Sequence, residues 1–420
     1  MSKPRLEGIE VLRLRLPLVA PWRTAHGSMV ERDVVLVRAV LAGVEGWGEC
    51  VALPEPTYSP EYTDGALEVL DRHLLPRLFA AGVTGGADVS PALAGVKGHP
   101  MAKSALEMAV LDAELRASGT PLARHLCAQS AGATEPAARV VAGAAVGIPA
   151  PPTTPSSGAA TGIASRPPTR SAGGTAAGFG RRESRARLEA LLEAVAGRVA
   201  EHHRRVKLKV QPGWDVEPVA AVRAAFGPDL LLQVDANGAY SRLADPFAAL
   251  APLDAHGLVL VEQPLGDDDL LGHAALARRL VTPVCLDESV TSAAVAGTAM
   301  ELGSCSVVNV KAARVGGYLE AVRVHDRCRA RSVPVWCGGM LETGVGRSAN
   351  LALAALPNFT LPGDISGTGS LFSSDVITEP IVVADDGTIA VPDAAGIGVT
   401  VRDDVIATAA WSRWYRPGGR

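Results

Sequence analysis

From Arg139 to Asp364 the chain repeats one pattern eight times: a short apolar run, then a segment with helical spacing. The runs are RVVAGA, RVKLKV, LLLQVDAN, GLVLVEQP, TPVCLDES, CSVVNVKAA, VPVWCGG and FTLPGD. Between the first two lies SRARLEALLEAVAGRVAEHH, with Leu188, Leu191, Leu192, Val195 and Val199 on one helical stripe. Near-continuous apolar strands that alternate with helices imply a parallel sheet covered by helices. Eight such units suit a TIM barrel better than an open doubly wound sheet. Neither a Gly-x-Gly-x-x-Gly fingerprint nor a P-loop supports the open sheet.

Residues 1–130 follow other rules. VLRLRLPL alternates, with Leu12, Leu14 and Leu16 on one face. DVVLVRAVLAG and EGWGECVAL read as two further strands joined by a Gly-containing turn. HPMAKSALEMAVLDAELRASG reads as a helix: Pro100 near its start, Met108, Leu111 and Leu115 at helical spacing, Gly119 after its end. This part is expected to be an α+β domain, followed by a barrel over 131–385 and a C-terminal segment over 386–420. One stretch does not fit. Pro149 to Gly180 is rich in Pro, Gly, Ser, Ala and Thr and almost free of bulky apolar residues. It buries too little to offset its ordering entropy and is expected to be a disordered insertion. It follows the first barrel strand, so it is either a lid or a tolerated surface insertion.

The most informative residues end the strands. Lys209, Asp235, Glu262, Asp287 and Lys311 follow one another at intervals of 24 to 27 residues, about one βα unit each. Taken singly, an Asp or Glu there is a helix cap or turn former. Likewise, the alternation in VKLKV, with Lys207 and Lys209 on one face, suits a solvent-facing edge strand. Caps and edges do not demand a charge at every strand end in register. Three carboxylates crowded at a barrel mouth repel unless neutralised. An all-oxygen set suits Mg²⁺, with Mn²⁺ as a substitute, and no His or Cys in the register favours zinc. Lysines beside a dication and each other are expected to have depressed pKa values. A partly neutral lysine can remove a proton, and the metal would stabilise the enediolate formed from a substrate carboxylate. Lys207 would then tune and position Lys209.

The bulk numbers restrict the partners. Net charge is −4, so there is no basic footprint for nucleic acid. The six cysteines have no C-x-x-C spacing, which argues against zinc and a disulfide framework and for a reducing compartment. The N-terminus lacks an apolar h-region, and no run is long enough to span a membrane. A cytoplasmic protein with neither nucleic-acid nor membrane partner is expected.

The motifs KLK, DAN, EQP, DES and NVKAARVGG, in this order, resemble the muconate-lactonizing branch of the enolase superfamily. VKLKVQPGWD, GWGECVALPEPTYSPEYTDGA and VWCGGMLETGVGRSAN resemble its o-succinylbenzoate synthase / N-acylamino acid racemase family. The resemblance implies a modified (β/α)₇β barrel, α/β in class, capped by the N-terminal half and the C-terminal tail. It implies metal ligands Asp235, Glu262 and Asp287, acid/base residues Lys209 and Lys311, and Lys207 and Asn237 near the substrate carboxylate. The loop PWRTAHGSM, with Trp22, would close over substrate near Tyr58; Gly338, Gly339 and Met340 would line the pocket. Arg314 matches the form associated with racemase-competent members. Three departures bear on substrate identity: Ala145 where serine is expected, no arginine or aromatic residue directly after GDIS, and the insertion. The expected reaction is dehydration of 2-succinyl-6-hydroxy-2,4-cyclohexadiene-1-carboxylate to 2-succinylbenzoate in menaquinone biosynthesis. N-acylamino acid (N-succinylamino acid) racemisation is the alternative, alone or alongside it. Dipeptide epimerase or cycloisomerase activity stands further off, and a non-catalytic metal- or metabolite-binding scaffold is the reading outside enzymes. The partner is a small carboxylate, and a homo-oligomer is expected.

Overall fold

The computed structural model describes residues 5–24, 27–132, 135–149 and 181–418. The expected insertion lies, beyond Pro149, outside them. The N-terminal strands β1 (Leu6–Thr24), β2 (Gly27–Leu41) and β3 (Val44–Cys50) form an antiparallel sheet. Ala42 and Gly43 join β2 to β3 with φ of 51° and 76°, the left-handed pair that a two-residue hairpin turn requires. The C-terminal β13 (Trp411–Tyr415) returns to pair with β1, placing Ile9 opposite Tyr415.

The helix Pro100–Ser118 lies between this cap and the barrel. Met108, Leu111 and Leu115 join the core cluster that includes barrel residues, as do Leu12, Leu14 and Leu16. Met101, Ala102, Ala105, Leu106 and Ala109 join the cap cluster. The expected single stripe is thus one of two, and the helix is buried on both sides. Gly46 and Gly48 make its close approach to β3 feasible. A Cβ on Gly46 would lie 2.1 Å from Ala113 N, and one on Gly48 2.1 Å from Ala105 O.

Seven parallel strands follow in sequence order: β5 (Gly143–Val146), β6 (Arg205–Lys209), β7 (Leu231–Asp235), β8 (Val261–Glu262), β9 (Val284–Leu286), β10 (Val307–Val310) and β11 (Val335–Cys337). Two expected runs behave differently. RVVAGA divides: β4 (Arg139–Val141) pairs antiparallel with β12 (Thr388–Ala390), and only β5 enters the barrel. FTLPGD forms no ladder; it makes isolated bridges, Phe359 to Val335 and Gly363 to Ala142. Pro362 has no N–H to donate, so continuous pairing fails there. The circle closes instead through Gly143 N to Gly363 O at 2.8 Å and Asp364 N to Cys337 O at 2.8 Å.

Register sets the height of the site. Lys209 pairs with Asp235, and Asp235 with Glu262. Glu262 then pairs with Cys285, so Asp287 lies two residues further along, just past the end of β9. Steps of two keep the same face, and such stagger accompanies barrel closure. No helix among the described residues is long and apolar enough to cross a membrane.

Candidate active site

Asp235, Glu262 and Asp287 are all buried, and in this structure they are neutralised by ammonium groups. Lys207 Nζ lies 3.1 Å from Asp235, 3.0 Å from Glu262 and 2.6 Å from Asp364. Lys209 Nζ donates to Asp235 Oδ2 at 2.6 Å and to Asn237 Oδ1 at 2.8 Å. Lys311 Nζ donates to Asp287 Oδ2 at 2.7 Å and to Tyr58 OH at 2.8 Å. Arg314 Nε stands 3.2 Å from Asp287 Oδ1, and its Nη2 donates to Tyr58 OH.

These contacts set the titration. Burial, with the charge of Asp235, pushes Glu262 up to about 8 despite Lys207. Burial also opposes the ionisation of Asp235, but Lys209 and Lys207 hold it well below the usual carboxylate range. Asp287 is likewise lowered by Lys311 and Arg314 against its burial. For Lys207 and Lys311 the direction in this structure is upward, opposite to the expected depression. Against burial, Asp364, Glu262 and Asp235 raise Lys207, and Asp287 and Tyr58 raise Lys311. The reason is direct: carboxylates lie 2.6 to 3.1 Å from these two ammonium groups.

Above the charges lies a cavity of 510 Å³. Lys207, Lys209, Lys311 and Asn237 line it, with Tyr58 and Trp22 from the cap and Gly339 and Met340 beyond β11. Two expected pocket residues sit elsewhere. Gly338 is packed against Lys311: a Cβ there would meet Lys311 Cε at 2.5 Å and Asn309 Oδ1 at 2.3 Å. Arg314 is buried behind Tyr58 and Asp287. Met340 lines the cavity, and its side chain also belongs to the cap core.

The donor set suits a hard dication in kind: three buried carboxylates on adjacent strands, with Asp287 Oδ1 accepting no hydrogen bond. Among the described residues, however, no three His, Cys, Asp or Glu groups converge as metal ligands. The Lys207 ammonium sits between Asp235 and Glu262, while Asp287 is turned onto Lys311.

Sequence reasoning missed three members of the network. Asp364 contacts Lys207 and lines the cavity. Its signal was the same strand-end position, in FTLPGD. Asn309 donates to Glu262 Oε1 at 2.7 Å; it is two residues before Lys311, as Lys207 is before Lys209. Glu288 accepts from Asn237 Nδ2 at 2.8 Å, and burial with the charge of Asp287 pushes it up to about 7. Nothing in DES distinguishes it from an exposed loop carboxylate.

Cap, barrel and strand-end charges together define a capped-barrel protein with its ionisable groups at the barrel mouth. The chain belongs to the enolase superfamily. Residues 8–126 match the mandelate racemase / muconate lactonizing enzyme N-terminal domain, and residues 190–405 the enolase C-terminal domain-like family. It is 48% identical over 419 residues to the N-succinylamino acid racemase of an Amycolatopsis species, covering 97% of this chain and 99% of that protein. It is 40% identical over 397 residues to the o-succinylbenzoate synthase of Geobacillus kaustophilus, covering 94% and 93%. The crystal structure of an enolase-superfamily member from Listeria innocua aligns with a TM-score of 0.83 at 32% identity, covering 99% of this chain and 100% of that one.

Proposed function

We propose that this protein removes the proton α to the carboxylate of a small substrate, with Lys209 and Lys311 as the acid/base pair. The observation that carries this is their matched setting. Each lysine is held by one carboxylate and one neutral oxygen, and both line one cavity from β6 and from the residue after β10. The reading placed first is dehydration of 2-succinyl-6-hydroxy-2,4-cyclohexadiene-1-carboxylate to 2-succinylbenzoate. Lys209 takes the α-proton and can return it to the leaving hydroxyl, so that water departs and no outside co-reactant is needed. Lys311 offers positive charge to the developing enediolate. Racemisation of N-succinylamino acids is the second reading, and the same chain can support both. It is favoured by the lysine pair, by Arg314 beside Lys311, and by the similarity to proteins named for that activity. There one lysine removes the α-proton and the other returns one to the opposite face.

Asp235, Glu262 and Asp287 would hold Mg²⁺, or Mn²⁺ in its place, which would supply positive charge for the substrate carboxylate. We place the reaction in the cytoplasm, supported by six cysteines that are all free and buried. The test is an assay of purified protein on both substrates. Turnover of at least one is expected with Mg²⁺, is lost on chelation and returns when Mg²⁺ is restored. No turnover of either substrate, with no exchange of an α-proton, overturns the reading.

A further inference from the structure

The settings of the two lysines differ in one respect. The neutral oxygen beside Lys209 comes from Asn237 on the barrel, whereas the one beside Lys311 comes from Tyr58 on the cap. The Tyr58 hydroxyl can accept two hydrogen bonds and donate one. It accepts from Lys311 Nζ at 2.8 Å and from Arg314 Nη2, and its O–H lies 3.4 Å from Asp287 Oδ2, a long donated contact. An ammonium has three N–H donors. Tyr58 and Asp287 take two from Lys311, as Asn237 and Asp235 take two from Lys209; among the described residues this leaves one on each lysine for the cavity. The loop that carries Tyr58, PEPTYSP, is stiffened by Pro54, Pro56 and Pro60, whose φ angles are fixed. Just beyond it, Glu61 accepts from Met101 N at 2.7 Å and Ala102 N at 2.9 Å, at the start of the long cap helix.

The geometry points to Tyr58 as a positioning residue for Lys311: a cap-borne hydroxyl that aims one acid/base group and leaves the other to the barrel. This rests on the proton-transfer reading above and deepens it. Cap placement then governs proton transfer on one face of the substrate. Tyr58→Phe keeps the ring and removes the hydroxyl. Asn237→Ala is the mirror variant.

The test follows α-proton loss from each enantiomer of an N-succinylamino acid in D₂O, with thermal unfolding of every variant as a check on folding. The enantiomer that a Lys209→Ala protein still exchanges identifies the Lys311 face. Tyr58→Phe should slow that enantiomer roughly ten- to hundredfold, the worth of a hydrogen bond to a charged group, and leave the other within about threefold. Asn237→Ala should show the opposite bias. Equal slowing of both enantiomers by Tyr58→Phe, or no slowing, overturns the assignment while the proton-transfer reading stands. Wild-type protein that exchanges neither enantiomer overturns the assignment of Tyr58 to one face, and the proton-transfer reading falls with it only if the protein also fails to dehydrate the cyclohexadiene carboxylate.

Discussion

The barrel holds the site through a repeated unit, and the cap holds it through a few long-range contacts. On the barrel, Lys209, Asp235 and Glu262 are neighbours because successive strands end at equivalent residues. On the cap, Tyr58 reaches Lys311. Glu49 accepts from Thr343 N and Gly346 N, each at 3.0 Å, at the start of the helix Gly344–Ala354. Glu107 accepts from Leu319 N at 3.0 Å, in the first turn of the helix Tyr318–Arg329. A carboxylate at a helix N-terminus satisfies orphan amides and complements the helix dipole. All three contacts reach the later half of the barrel, on the side of Lys311. Toward the first strands, the cap hairpin contributes the Arg23 carbonyl, which accepts from Ile148 N at 3.3 Å. The two regions therefore grip the two acid/base groups unequally, and damage to the cap should be felt first at Lys311.

The strongest way to break that comparison is to unseat the cap helix. In Gly48→Ala, the new Cβ would meet the backbone at Ala105 O and Ala109 N, where no side chain can yield. Overpacking of this kind costs about 1–3 kcal/mol, and we expect a Tm lowered by several degrees with greater loss of exchange on the Lys311 face. An unchanged Tm would show that β3 and the helix move apart freely. A smaller effect sharpens the role of Glu107. Its burial pushes the carboxyl up to about 7, above its ordinary value of 4.5, although the amides of Leu319 and Tyr318 oppose the rise. The folded protein therefore keeps a proton that the unfolded chain releases between those values. Stability from this group is full below the lower value and falls as pH rises through the window. Glu107→Gln removes that loss. Wild type should lose stability relative to the variant at about 1.4 kcal/mol per pH unit at most between pH 5 and 7. Parallel stability curves would contradict the assignment.

The sequence pattern made the barrel legible because its signal recurs. Apolar runs located the seven strands, and the spacing from Lys209 to Lys311 exposed the strand-end charges. The closing segment at FTLPGD was legible as a position but not as a bridge, since its bonds depend on Gly143 and Cys337 lying at either side. On the cap, alternation found the strands, but the close approach of the long helix at Gly46 and Gly48 was not read from GWGE. Tyr58 was legible as a pocket residue, but its hydrogen bonds to Lys311 and Arg314 were not. A hydroxyl carries no periodic signal, and its partners lie more than 250 residues away along the chain. The upward direction of Lys207 and Lys311 was illegible for a related reason: which charges face an ammonium depends on side-chain direction, which residue order does not record.

The most direct test of the central claim uses the single variants Lys209→Ala and Lys311→Ala with both enantiomers of an N-succinylamino acid in D₂O. Loss of a positioned acid/base group costs on the order of 10²–10⁴ in rate. Each variant should fail to racemise, yet still exchange the α-proton of the one enantiomer whose face keeps its lysine. The two variants should preserve opposite enantiomers. If Lys311→Ala exchanges both enantiomers at equal rates, one base serves both faces and the paired-lysine account is wrong.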